Sequence, residues 1–324
     1  MPTAYAALND RLLVVDVEAE TTTEALVDRD FECLAASPDA PERVFAGTVE
    51  SGLLGTDDGG ESWTTALETD DRVTAVTVSP HDSDVVWAGT EPSAVYRSTD
   101  GGASWGRRPG LTDLPSASSW SFPPRPHTHH VRWLEVAPGD PGRLYVAIEA
   151  GALVRTTDGG DTWRDRPEGA RRDNHTLATH PDAPERVYTA AGDGYAESSD
   201  RGDTWTYPQA GLDHRYVWSV AVAPEDPDTV VVSAASGAHR AHRPDTAESY
   251  VYRRTGDGPF ERVTDGLPDP TGTARAVLDA HESGFYAVTN RGPFRSADGA
   301  RWSELAVSWP DAYRQQVPRG LAVV

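Results

Sequence analysis

Short runs of alternating apolar and polar residues recur along the chain, each broken after about eight residues by Gly, Pro, Asn or Asp, the rhythm of half-buried β-strands joined by tight turns. Residues 73–80 show the pattern: Val73, Ala75 and Val76 open an alternating strand that closes at Pro80, a turn follows, and Val85-Val86-Trp87-Ala88-Gly89 begins the next strand. The same upstream half recurs at 33–38, 134–138, 177–181 and 220–224, and more loosely at 276–280. A third strand, such as Ala94-Val95-Tyr96-Arg97, runs into an acidic turn, and a short fourth strand starts at the tryptophan beyond it.

The acidic turns set the period. Thr56-Asp57-Asp58-Gly59-Gly60-Glu61-Ser62-Trp63 is matched closely by segments 98–105, 156–163 and 198–205, and in shortened or degenerate form by 296–302 and 255–260. The closing aromatics, Trp63, Trp105, Trp163, Trp205, Phe260 and Trp302, are separated by 42, 58, 42, 55 and 42 residues. A 42-residue unit of four short strands is one blade of a β-propeller, and the two longer intervals carry insertions. Six units are explicit. The chain ends supply a seventh, because Gly320-Leu321-Ala322-Val323-Val324 reads as an inner strand with no successor, while 4–8 and 11–15 read as second and third strands with no predecessor. The expected fold is therefore all-β: a seven-bladed propeller of four-stranded blades forming one domain over residues 1–324, its last blade shared by 1–17 and 319–324 and closed by pairing the N-terminal strands with the C-terminal strand. Closure of this kind removes open strand edges.

The acidic turns resemble the Asp box, or BNR repeat, and the wider arrangement is similar to the superfamily of propellers that includes sialidases, photosystem II assembly factors, sortilin-type receptors and several glycoside hydrolases. The resemblance implies that Asp58, Asp100, Asp158, Asp200 and Asp298 are structural. Their carboxylates accept local backbone N–H groups, the glycines take positive φ, and the Trp packs between blades. It also implies that function sits on the face opposite these turns.

Both insertions map to that opposite face: residues 107–130 join one blade to the next, and 237–250 lengthen a second-to-third strand loop. Of ten histidines, His81, His180 and His281 fall on the acidic-turn face, whereas His127, His129, His130, His175, His214, His239 and His242 fall on the other. Arg132, Arg215, Glu149 and Asp193 lie near the same sector, with Trp120, Tyr195, Tyr216 and Trp218 as apolar walls. The candidate ligand-binding set is thus His129, His130, Arg132, Glu149, His175, Asp193, His214, Arg215, His239 and His242. His127, His129, His130 and His175 are candidate ligands for a divalent metal, imidazole being a common transition-metal ligand; the alternative is hydration and local hydrogen bonding of exposed loops. Glu50, Glu91, Glu149 and Asp193 occupy equivalent loop positions and form either a ring at the channel mouth or a solvated acidic rim. Arg72, Arg132, Arg215, Arg275 and Arg319 fall near the starts of inner strands, where several guanidinium groups can grip a carboxylate as sialidases do. Seven units rather than the six of sialidases, and no Phe-Arg-Ile-Pro segment, separate the chain from that family. Two classes of function remain: a binding or assembly scaffold for a protein partner or small polar ligand, and a glycoside hydrolase or metal-dependent hydrolase. No residue is singled out as catalytic.

Composition narrows the partners. There are 29 basic against 51 acidic residues, a net charge of −22, no lysine at all, and one isoleucine, Ile148. Phosphate backbones and anionic lipids would repel such a surface, so neither nucleic acid nor membrane is expected as a partner. A lysine-free acidic surface suits a cytoplasm rich in salt, where charge repulsion is screened. Cys33 is the lone cysteine, expected as a buried free thiol. The N-terminus lacks the basic and apolar runs of a leader, and a cytoplasmic location is expected.

Overall fold

A computed structural model describes residues 2–324. The strands sort into seven antiparallel sheets, each running outward from one inner strand. In chain order the inner strands are Phe31–Ser37, Arg72–Ser79, Val131–Val136, Asn174–Thr179, Tyr216–Ala223, Val277–His281 and Gly320–Val323, here numbered as blades 1 to 7. Each inner strand lies against the next, and that of blade 7 lies against that of blade 1, so the ring is closed.

Closure is made as the chain ends imply. Gly320–Val323 pairs with Thr3–Ala7 in the register Ala4↔Val323 to Ala7↔Gly320. Thr3 and Val324 exchange backbone hydrogen bonds of 2.7 and 3.0 Å. The N-terminal segment contributes three strands rather than two, because Thr21–Val27 continues the sheet beyond Arg11–Asp16. This fourth strand is polar, and the turn before it, Asp16 to Glu20, lacks the Gly and Trp of the other turns, which hid it from the repeat pattern. In blades 3 and 4 the fourth strand shrinks to single bridges, Arg155↔Arg164 and Glu197↔Thr206, leaving three-stranded sheets.

The hydrophobic clusters straddle neighbouring sheets, as wedges with two apolar faces require. One joins Tyr145, Ala147 and Leu153 of blade 3 to Leu177, Val187 and Trp205 of blade 4, and another joins Val231 and Val251 of blade 5 to Phe285, Phe294 and Trp302 of blade 6. The tryptophans that close the acidic turns are therefore inter-blade wedges.

The turns themselves are self-contained hydrogen-bond knots. Asp58 Oδ1 accepts from the Ser62 N–H at 2.9 Å and the Thr56 hydroxyl at 2.6 Å, Gly60 N–H donates to Thr56 Oγ1 at 3.1 Å, and Trp63 Nε1 donates to the Gly60 carbonyl at 3.2 Å. Donation from Ser62 and Thr56 holds the Asp58 carboxyl down to about 2. Equivalent bonds surround Asp100, Asp158 and Asp200. At Asp298 the shortened turn offers the Ala300 and Arg301 amides instead.

Five inner strands share a defect. The ladders of blades 1 to 5 skip one residue each, at Glu32, Thr74, Arg132, His175 and Trp218. An unpaired bulge residue re-aims its side chain out of the ladder. Recurring at one level of the ring, the bulges turn one side chain per blade toward the same mouth of the channel.

Candidate functional site

A cavity of about 540 Å³ occupies that mouth. Four bulge residues line it, namely Glu32, Thr74, Arg132 and Trp218, with Glu149, Asp173, Tyr216 and Arg319 around them. The two insertions roof it: Phe122 and Arg125 come from the blade 2 to blade 3 connection, and His239 and His242 from a short helix, Ala238–His242, in the blade 5 loop. Both insertions therefore stand where the sequence puts them.

Trp218 organises the basic side of the cavity, with Arg132 among the lining residues and Arg275 buried behind them. The Arg275 guanidinium carbon stands 3.8 Å from its ring centroid and that of Arg132 stands 4.6 Å away. His242 meets the ring edge-on at 4.4 Å, and His175 lies against it at 4.6 Å. Arg275 is 1% exposed and has no carboxylate partner; Nη1 donates to the Pro318 carbonyl at 2.7 Å and Nε donates to His242 Nδ1 at 3.1 Å. Its Nη2 is buried without a hydrogen-bond partner. Burial, then the like charges of Arg132 and Arg319, push this guanidinium well below its ordinary value. Burial and Arg275 push His242 down to about 2 and keep the ring neutral, so Nδ1 accepts from Arg275 Nε while Nε2 carries the hydrogen and donates to Tyr216 OH at 2.9 Å.

The acidic side centres on Glu149. Its Oε2 lies 3.0 Å from His130 Nε2 and 3.6 Å from Arg132 Nε. Burial raises the carboxyl, but the His130 hydrogen bond and the charges of His130, His175 and Arg132 outweigh it and hold it well below the usual range. Asp173 stands opposite with its pKa raised by burial and by Glu149, and the Ala150 amide donates to its Oδ1 at 2.8 Å. His175 is fully buried, and burial lowers its pKa. Three ion pairs complete the rim: Arg125 clasps Glu91 with both its Nε and Nη2, and Glu32 lies between Arg72 at 3.5 Å and Arg319 at 3.8 Å.

Of the residues singled out from the sequence, His130, Arg132, Glu149, His175, His239 and His242 converge here. His129 turns away to Ser93 Oγ, at 2.8 Å, and packs on Trp120. His214 stacks on Tyr250 at 3.9 Å and bonds Tyr252 OH, outside the cavity. Asp193 is exposed and pairs with Arg171 at 3.7 Å, while Arg215 and Glu50 are exposed and do not line the cavity. Tyr195 is buried among Tyr188, Val217 and Phe260 rather than forming a wall. Among the candidate metal ligands His127 is exposed and His129 faces Ser93, so the four imidazoles do not meet at one point. The structure instead brings His175 together with Glu149 and Asp173, whose ligand atoms all lie within 4.8 Å of one another. Asp173, Phe122, Arg125 and Glu32 were not singled out. Asp173 was legible in principle, since it precedes an inner strand as His130 does one blade earlier.

Fold and site together define a seven-bladed propeller with a mixed acidic and basic pocket at one end of its channel. No family model matches the chain. A xyloglucanase of a Paenibacillus species is 27% identical over 224 residues, 59% of this chain and 21% of that protein, so the chain spans about a fifth of that curated relative. Among solved structures, the GH74 enzyme of Niastella koreensis superposes with a TM-score of 0.68 at 17% identity, covering 91% of this chain and 51% of that one. YCF48 bound to D1 peptide superposes with a TM-score of 0.60 at 17% identity, covering 85% and 82%. At such identities the structural matches establish the fold. No helix among the described residues is long and apolar enough to cross a membrane.

Proposed function

We propose that the chain is a one-domain Asp-box propeller that acts as a binding scaffold, gripping a carboxylate-bearing group of a protein partner or small polar ligand at the roofed mouth of its channel. The observation that carries this reading is Arg275. A fully buried guanidinium with no carboxylate partner and one unpaired nitrogen is costly, and the cost is offset when an anion arrives. Arg132 and Arg319 flank it, and a planar fork is suited to bidentate recognition of a carboxylate. That YCF48, similar in fold, is seen with a peptide supports a protein ligand.

Calorimetric titration with small dicarboxylates and short acidic peptides tests the reading. Saturable binding that weakens about 100-fold in Arg275→Gln, the loss of one charge-assisted contact pair, is expected; it should persist in Arg215→Gln, which alters an exposed arginine. Binding equal in both variants would contradict it.

A hydrolase reading is favoured by one specific feature, the facing carboxylates Glu149 and Asp173, whose pKa values are driven in opposite directions. Such a pair can divide the acid and base roles of glycoside cleavage, and the named relatives include a xyloglucanase and a GH74 enzyme. Turnover of a β-glucan or xyloglucan panel, abolished by Asp173→Asn, would establish it in place of the scaffold.

A further inference from the structure

The floor of the cavity holds a group of side chains that carboxylate capture at Arg275 does not use. His175 Nδ1 lies 2.8 Å from the Val217 carbonyl. A carbonyl only accepts, so Nδ1 carries the hydrogen and the lone pair of the neutral ring sits on Nε2. That Nε2 is buried with no hydrogen-bond partner. It faces Asp173 Oδ2 at 3.8 Å, and Glu149 completes a trio of ligand atoms within 4.8 Å of one another.

We infer that Glu149, Asp173 and His175 form a binding site for a divalent first-row cation such as zinc or manganese, with its remaining positions open to the cavity. One imidazole and two carboxylates suit these ions. The surrounding groups are those that orient metal ligands: Val217 fixes the His175 tautomer, the Ala150 amide holds the far oxygen of Asp173, and His130 holds Glu149. Backbone chemistry preserves the space as well. A Cβ on Gly192 would lie 2.0 Å from Asp173 Oδ2 and 3.3 Å from His175 Cε1, so only glycine leaves room for both side chains. The nearest guanidinium to the trio is that of Arg132, 3.6 Å from Glu149. The site shares its cavity with the proposed anion grip, but its ligands are different residues and its test is separate.

Untagged full-length protein, stripped with chelator, is titrated with zinc chloride and manganese chloride, and bound metal is counted by elemental analysis after desalting. One ion per chain is expected, with binding weakened about 100-fold or more in Asp173→Asn and in His175→Gln, and unchanged in His127→Gln, which removes an exposed imidazole. Since His175 is fully buried, the partly exposed Asp173 provides the variant that keeps its fold, verified by circular dichroism. Gly192→Ala should also weaken binding by displacing both ligands. No stoichiometric binding at millimolar metal, or binding that a folded Asp173→Asn variant retains, would overturn the site. Repeating the dicarboxylate titration in chelator separates the two claims: binding there leaves the Arg275 reading standing whatever the metal result.

Discussion

Two carboxyl groups at the far end of the channel, Glu135 and Asp279, show what a residue does when it is half-buried without a cation. Glu135, on the inner strand of blade 3, accepts hydrogen bonds from Thr179 Oγ1 at 2.8 Å and Trp133 Nε1 at 3.2 Å. Burial outweighs both and, with Asp279 nearby, raises it to about 7. A carboxyl raised in the folded chain binds more protons folded than unfolded between its ordinary value of 4.5 and about 7. Stability therefore falls as pH rises through that window and is level above it. Glu135→Gln should flatten this slope and stabilise the protein at about pH 8 by about 1 kcal/mol. Denaturant melts across the pH range measure it, and a parallel slope in variant and parent would refute it. Cys33 follows the same logic as an inert thiol, raised by burial, then by Glu32, to about 12.

At the scale of the element, the inner-strand bulge is the device that turns a repeat into a site. It was not legible in the sequence, because the apolar alternation of 73–80 or 131–136 continues on either side of the skipped residue and an extra residue leaves no compositional mark. The acidic turns were fully legible, since Asp, Gly and Trp at fixed offsets report strictly local bonding. The convergence of His130, Arg132, Glu149 and His175 was partly legible from their shared face. The departure of His129 was not, because adjacent residues on an extended segment point opposite ways and only the neighbours Ser93 and Trp120 decide which faces inward. The bulges also bind blade to blade: Thr74 Oγ1 donates to the Val131 carbonyl at 2.6 Å, and His175 Nδ1 donates to the Val217 carbonyl at 2.8 Å. Thr74→Val keeps the shape and leaves the buried Val131 carbonyl unpaired, at an expected cost of about 1–3 kcal/mol. An unchanged denaturation midpoint would show that the inter-blade bond contributes nothing.

For the whole molecule, closure is the cooperative step, because the ring has no edge only while the C-terminal strand is seated. Removing residues 320–324 would expose Thr3–Ala7 as an unpaired edge and strip Leu34 and Val277 of their neighbours in the ring. Loss of a sharp thermal transition and concentration-dependent aggregation are expected, followed by light scattering. A truncated chain that stays monomeric and melts as sharply as the parent would mean that the blades hold the ring without the strap. An intact ring also fixes the levels at which Arg132, Arg275 and Arg319 meet, three cations from three blades in a chain of net charge −22.

That meeting point is open to direct observation. A crystal soaked in 4-bromobenzoate and recorded at the bromine edge reports the position of a bound carboxylate by anomalous scattering. A peak is expected inside the cavity, beside Trp218 and within contact of Arg275. Peaks confined to exposed arginines such as Arg215, with the cavity vacant, would contradict the proposed grip.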